Sequence, residues 1–261
     1  ARHTGKRRNG NECFGVCGHY DDPYAFTRDD MKWYIDWLFA RGCNLIIPHA
    51  FYYSLRDDRK DERPPEVGMH SEFWDEYKEI SDYIKRCCAM NTDSVNITDV
   101  AVLCTKDYLP SAAVKPMYEN QIEFNYLEDS LLSGAQIEKG QIKIANQSYR
   151  VVVLDRSYDS ETMALLEQFK AGGGTVITYN KYAGNLSTYV SLIKEASFTD
   201  LDIKGDPYLR MTHLRKYGKD VVFFSNEGEE PLTATINEKV TEVWDAQTGS
   251  MMKNYSGESY E

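Results

Sequence analysis

The chain has 261 residues, 42% hydrophobic and 27% charged, which gives room for one large domain or two to three small ones. A net charge of −11 excludes duplex nucleic acid as an expected partner, because neutralising phosphates takes a basic face. No run nears the roughly 18 apolar residues that span a bilayer, so no membrane partner is expected, and the lack of an apolar leader favours the cytoplasm.

The start is basic (Arg2, Lys6, Arg7, Arg8) and reads as the cut edge of a larger protein instead of a targeting signal. Residues 12–18 read as a strand and turn. Thr27 is an N-cap candidate with Asp29 and Asp30 behind it. Met31, Tyr34, Ile35, Leu38 and Phe39 then line one face of a helix that Gly42 closes. Leu45–Ile47 forms the next strand, so this is a βαβ unit with parallel strands. Ser71 can cap a second helix, with Phe73, Tyr77, Ile80, Ile84 and Cys87 on one face. Residues 1–93 thus read as two successive βα units.

A second α/β pattern covers residues 94–200. Asp99–Cys104 is a buried strand, followed by a helix carrying Met117, Ile122, Phe124, Tyr126, Leu127 and Leu131. A polar, hairpin-like stretch from Gln136 to Tyr149 leads to a strand at Val151–Leu154. The next helix, with Met163, Leu165, Leu166 and Phe169, ends at Gly172-Gly173-Gly174 before a strand at Thr175–Tyr179. This alternation predicts a small doubly wound domain. Residues 201–261 read as a small antiparallel β element, with strands at Tyr208–Leu214, Val221–Ser225, Leu232–Ile236 and Glu242–Trp244.

Candidate chemistry gathers at two strand ends. Glu12 stands where a carboxylate can act as nucleophile or general base in glycoside hydrolysis, a reaction that needs a second carboxyl group. An exposed or capping glutamate is the plain alternative. His49, directly after Pro48, can bond sugar hydroxyls or be a satisfied half-buried histidine. Phe51, Tyr52, Tyr53 and Trp74 offer either a stacking platform or core packing. The loop from Arg56 to Glu66 mixes charges and reads as solvated and salt-bridged.

Six cysteines (13, 17, 43, 87, 88 and 104) read as reduced thiols that pack, and no metal or other cofactor is expected. Cys104 lacks a glycine-flanked elbow, and no histidine lies between His70 and His213. A Cys-His amidotransferase is therefore not expected. Gly172-Gly173-Gly174 precedes a strand, so it is a turn and not an anion cradle.

One run of motifs carries a family resemblance. It comprises Asn11-Glu12-Cys13-Phe14-Gly15 with Gly18-His19-Tyr20, then Asp30 through Asp36, then Arg41-Gly42-x-Asn44 through Pro48-His49 to Ser54. Arg63-Pro64-Pro65, Trp74-x-x-Tyr77 and Asn125-Tyr126-Leu127 extend it. The run resembles bacterial glycoside hydrolases, nearest the α-L-rhamnosidase-related group of family 106. That resemblance implies the end of a catalytic (β/α)8 barrel, then a flavodoxin-like domain similar to a degenerate class I amidotransferase or a β-galactosidase trimerisation domain, then β-sandwich structure. It implies that Glu12 is the carboxylate ending the seventh barrel strand and that Leu45–His49 is the eighth strand. His19, Tyr20, His49, Tyr52, Tyr53 and Arg63 would line the carbohydrate site.

A whole barrel takes about 200–250 residues, and only about 90 precede the second pattern. The expectation is thus the C-terminal piece of an enzyme acting on rhamnoside- or galactoside-type O-glycosidic bonds. It should be inactive alone and self-associate through its exposed barrel flank. The alternative is a non-catalytic scaffolding or oligomerisation module with an amidotransferase-like fold.

Overall fold

The computed structural model describes residues 2–15, 17–18, 22, 25–49, 51–58 and 65–254. They form a mixed α/β structure with parallel sheets and antiparallel strands, in two compact units. Described residues within Arg7–Ser94 and Val240–Gly257 make one unit; those within Ala1–Lys6 and Val95–Lys239 make the other. The antiparallel residues grouped as one tail over 201–261 are thereby divided between the two.

In the first unit, β1 (Gly10–Cys13) leads through α1 (Arg28–Ala40) to β2 (Leu45–Pro48). The two strands pair in parallel, with Glu12 opposite Ile47 and Cys13 opposite Pro48. Thr27 caps α1 as its sequence suggests: its hydroxyl accepts the Asp30 N–H at 3.1 Å, and the Asp30 carboxylate accepts the Thr27 N–H at 2.9 Å. At the other end Gly42, at φ +83°, donates to the Phe39 carbonyl while Cys43 donates to that of Leu38, the paired bonds of a Schellman turn. Met31, Ile35 and Phe39 are fully buried, so the helix presents the face its spacing predicts.

The second helix, α2 (Tyr77–Asn91), departs from expectation at its start. Ser71 does not cap it; the Ser71 hydroxyl donates to the Gly68 carbonyl at 2.7 Å, and a 3₁₀ turn at Trp74–Glu76 intervenes. Tyr83, not Ile84, takes the buried position, with its hydroxyl donating to the Asp36 carboxylate on α1. Lys32 holds the other oxygen of Asp36 at 2.5 Å. Asn91 donates to the Phe39 and Cys43 carbonyls at 3.0 and 2.8 Å, which ties the end of α2 to the turn that closes α1.

The second unit begins with β3 (Val95–Asn96) and β4 (Val100–Cys104), all five residues of β4 being buried. The helix expected to run on to Leu131 stops early: α3 covers Ser111–Glu119, and Asn125–Glu128 is strand β5. Gln121, at φ +53°, breaks the helix, and the following residues alternate buried and half-buried as a strand does. A meander of β6 (Gln136–Glu138), β7 (Gln141–Ile144) and β8 (Gln147–Tyr149) follows, then β9 (Val151–Leu154), α4 (Ser160–Ala171), β10 (Thr175–Thr178) and α5 (Leu186–Ala196). α5 has no counterpart among the helices read from the sequence.

β4, β5, β9 and β10 form one parallel sheet in the order β10-β9-β4-β5. Strand periodicity divides its core in two. Val100, Val102, Val151, Val153 and Ile177 pack against α3 and α5, while Ala101, Leu103, Val152 and Leu154 pack against α4 and the meander. Gly174 is obligatory at its turn, since a Cβ there would lie 2.3 Å from the Phe169 ring. The glycine run is thus a packed turn into β10.

Antiparallel strands complete both units. β11 (Ile203–Lys204) pairs with β14 (Thr235–Ile236), and β12 (Leu209–Lys216) lies between β13 (Lys219–Asn226) and β3. β15 (Glu242–Asp245) and β16 (Ser250–Asn254) form a hairpin in the first unit, where Arg86 of α2 donates to the Ala246 carbonyl at 2.9 Å. Among the described residues no helix is long and apolar enough to cross a membrane.

Candidate active site

The ends of β1 and β2 position the first two candidate residues. Parallel register places Glu12 beside Ile47, and one residue further on the His49 N–H donates to the Cys13 carbonyl at 2.8 Å. This brings His49 Nε2 to 4.0 Å from Glu12 Oε1, too long for a hydrogen bond and an ion pair only when the imidazole is protonated. Glu12 has an open side chain (65% exposed), whereas His49 is largely covered (25%). Alternation puts Leu45 and Ile47, 41% and 50% exposed, on the sheet face of Glu12. That face is therefore apolar, open and crossed by one carboxylate.

The backbone is shaped around this pair. Phe14 follows β1 at φ +80°, a conformation unfavourable for a bulky residue, and is anchored by complete burial against Phe26 with ring centroids 5.7 Å apart. Gly15 leaves room for the histidine, since a Cβ there would come within 3.1 Å of His49 Nδ1.

Beyond His49 the chain presents aromatic rings. His49 and Tyr52 meet edge to face at 6.4 Å. Phe51 meets Trp74 at 6.2 Å and Tyr77 at 5.4 Å, and Trp74 and Tyr77 lie 5.2 Å apart. Tyr53 is 73% exposed. Burial, and secondarily the nearby Cys13, pushes the Tyr77 hydroxyl up to about 12, so the phenol is protonated at neutral pH. Such rings offer flat apolar faces beside hydroxyl donors, the surface chemistry that suits a sugar.

Glu66 is the residue that sequence reasoning misplaced. It is not a solvated loop acid but is buried, accepting the Tyr52 N–H at 3.0 Å with Oε2 and the Gly68 N–H at 2.6 Å with Oε1. Its neighbours Pro65, Val67 and Gly68 are also buried, and this uncharged setting is the signal that separates it from the charge run before it. Tyr77 likewise belongs to the ring cluster beyond its expected place on a helix face. His19, Tyr20 and Arg63 lie outside the described residues.

The thiols are unsuited to nucleophilic chemistry. All six cysteines are free. Burial pushes Cys13 up to about 12, with Cys43, Cys17 and Glu12 adding to it. Cys104 is pushed up to about 11 by burial first and then by Glu128 and Asp129. Among the described residues no group of three or more His, Cys, Asp or Glu side chains is placed to hold a metal.

The chain matches no protein-family model and no curated protein. It is similar in structure to a rhamnosidase from Novosphingobium sp. PP1Y, with a TM-score of 0.59 and 16% identity over 94% of this chain and 29% of that one. It is also similar to the GH42 β-galactosidase Gan42B (TM-score 0.61, 14% identity, 93% of this chain and 51% of that chain). A catalytic mutant of Gan42B from G. stearothermophilus gives a TM-score of 0.58 at 13% identity over 83% of this chain and 47% of that chain. The chain thus spans about three tenths of the rhamnosidase and about half of the β-galactosidases. At these identities the likeness is one of fold: this chain has a fold found in glycoside hydrolases.

Proposed function

We propose that the first unit forms part of the active-site wall of a glycoside hydrolase acting on rhamnoside- or galactoside-type O-glycosidic bonds. The observation that carries this reading is the pairing of Glu12 and His49 at adjacent parallel strand ends, next to the Tyr52 ring. Glu12 is the nucleophile or general base; His49, Tyr52 and Tyr53 contact sugar hydroxyls and ring faces. His19, Tyr20 and Arg63 join the site on the strength of the motif resemblance.

In this reading β1–α1–β2–α2 are (β/α)8-type units, whose active sites lie at C-terminal strand ends. The exposed Leu45 and Ile47 suit a face turned toward a barrel interior. The second unit is flavodoxin-like, which its sheet order supports: numbered along the chain, its four parallel strands lie 2-1-3-4. The sugar type follows from the similar structures being a rhamnosidase and a β-galactosidase.

Hydrolysis needs a second carboxyl group about 5–9.5 Å from the first. Glu66, the buried carboxylate nearby in sequence, is already committed to two backbone N–H groups. The chain alone should therefore bind L-rhamnose or D-galactose weakly and turn over aryl glycosides negligibly. Ligand-observed NMR titration with both sugars tests this, read against His49→Ala and Glu12→Gln. Saturable binding weakened by both substitutions supports the site; no binding of either sugar by the folded chain overturns it. Turnover that Glu12→Gln abolishes would keep the site and reject the single-carboxylate argument.

A further inference from the structure

The parallel sheet of the second unit ends on β10, whose outer edge pairs with no strand among the described residues. The Thr175 N–H donates inward to the Arg150 carbonyl at 2.9 Å, so alternation turns the N–H and C=O of Val176 and Thr178 outward. The strand reads Thr-Val-Ile-Thr, with no charge, proline or bulge to discourage pairing. α5 overhangs this edge. Between them runs a groove of about 350 Å³, walled by Thr175–Thr178 on one side and by Leu192, Glu195 and Ala196 on the other.

The groove has a direction. Lys181 follows the C-terminal end of β10 and lines one end. Glu195 closes the other, because α5 runs back toward the N-terminal edge of the sheet. There Ser197 and Phe198 bond the Asp99 carboxylate, just before β4, at 2.6 and 2.9 Å. Neither Lys181 nor Glu195 has an ion-pair partner among the described residues.

We propose that this edge is a self-association surface whose occupant is β10 of a second copy of the chain, paired antiparallel across a two-fold axis. A two-fold contact must be self-complementary, and this one is. Reversing β10 lays the Lys181 end of one groove against the Glu195 end of the other, twice. Two four-stranded sheets become one of eight strands, with both α5 helices on the same face. The outward N–H and C=O groups of Val176 and Thr178 gain partners. A parallel or head-to-tail contact would not match both charges. This surface is distinct from the open β1–β2 face, on which the sequence-based expectation of association rested.

Sedimentation equilibrium of the whole chain tests the proposal. A contact made of a few main-chain bonds and two exposed ion pairs should be weak, with a dissociation constant of about 10–100 μM. Lys181→Glu and Glu195→Lys should each weaken it about tenfold, and the double swap should restore it to within about threefold. Because the double swap keeps the same net charge, its recovery reads the pairing even if a single variant is less stable. Amide exchange at Val176 and Thr178 should slow as protein concentration rises. A monomer at all concentrations overturns the proposal. So does association insensitive to both charge reversals, or two weakened single variants that the swap fails to rescue.

Discussion

Glu66 holds Tyr52 by its backbone: one carboxylate oxygen accepts the Tyr52 N–H at 3.0 Å while the other accepts the Gly68 N–H at 2.6 Å. A buried acceptor thus ties the ring-bearing segment after β2 to the segment that leads into α2. Gly68 is part of the same clamp, since a Cβ there would lie 2.6 Å from Glu66 Oε1 and 2.8 Å from the Phe51 ring. Glu66→Ala removes two charge-assisted bonds and leaves two N–H groups without partners, so it should destabilise the first unit by about 2–4 kcal/mol. Glu66→Gln, which keeps one acceptor, should cost about half as much. All four tryptophans (33, 37, 74 and 244) lie in that unit, so urea unfolding followed by tryptophan fluorescence reads it selectively. A loss below about 0.5 kcal/mol for Glu66→Ala would place the carboxylate in solvent.

Glu123 and His3, both in the second unit, titrate in opposite senses. Burial raises Glu123 from 4.5 to about 7, opposed by Arg2 at 4.0 Å and by bonds from Asn96 and Thr212. Burial lowers His3, whose ring bonds the Tyr149 hydroxyl at 2.6 Å, from 6.5 to about 4. An acid whose folded value is raised stabilises fully below pH 4.5, and that contribution is gone once pH passes about 7. A base whose folded value is lowered stabilises fully above pH 6.5 and loses its contribution as pH falls through about 4.

Glu123→Gln should therefore remove a decline in stability between pH 4.5 and 7, on the order of 3 kcal/mol. His3→Gln should steepen the net decline over the same interval. Amide-exchange protection at Val102 and Val153 reports the opening free energy of this unit. Parallel pH curves for the native chain and Glu123→Gln would show that the carboxyl is not held protonated.

Legibility in the sequence followed the strength of local signals. Thr27, the Met31–Phe39 stripe and Gly42 each act within a turn or two, and together they define α1 at both ends. Ser71 misled because tight turns through Gly68 and Ser71 delay α2 until Tyr77, and a hydroxyl can serve a turn as readily as a helix end. Asn125–Glu128 misled for another reason: an apolar run after a helix keeps helical spacing by chance, and only pairing to β4 makes it a strand. At the candidate site, position at strand ends singled out Glu12 and His49, and parallel pairing of those strands brings their side chains within 4.0 Å. The role of Glu66 depends on which backbone groups the fold leaves without partners, and no local pattern encodes that.

Cys104 offers a direct check on the second unit. It ends β4 at 5% exposure, and its thiol is pushed up to about 11. At pH 8 about a thousandth of such a thiol is thiolate, against about a quarter for an ordinary cysteine. Iodoacetamide should leave Cys104 unmodified in the folded chain and label it after unfolding. Rapid native labelling, read by peptide mass spectrometry, would reopen nucleophilic chemistry at that strand end.

The ring cluster decides whether the open end of β1 and β2 recognises sugars by stacking. Trp74 is 40% exposed, and it meets Phe51 and Tyr77 at ring separations of 6.2 and 5.2 Å. A ring held by two others loses little freedom when a ligand arrives, so its stacking energy should appear almost entirely as affinity. Trp74→Ala should weaken binding of L-rhamnose or D-galactose about three- to tenfold, and Trp74→Phe should restore most of it. Glu12→Gln should weaken binding through lost hydroxyl contacts while leaving the fluorescence change of Trp74 on saturation intact. If Trp74→Ala leaves the affinity unchanged while Glu12→Gln and His49→Ala lower it, the rings are packing groups and recognition is polar alone.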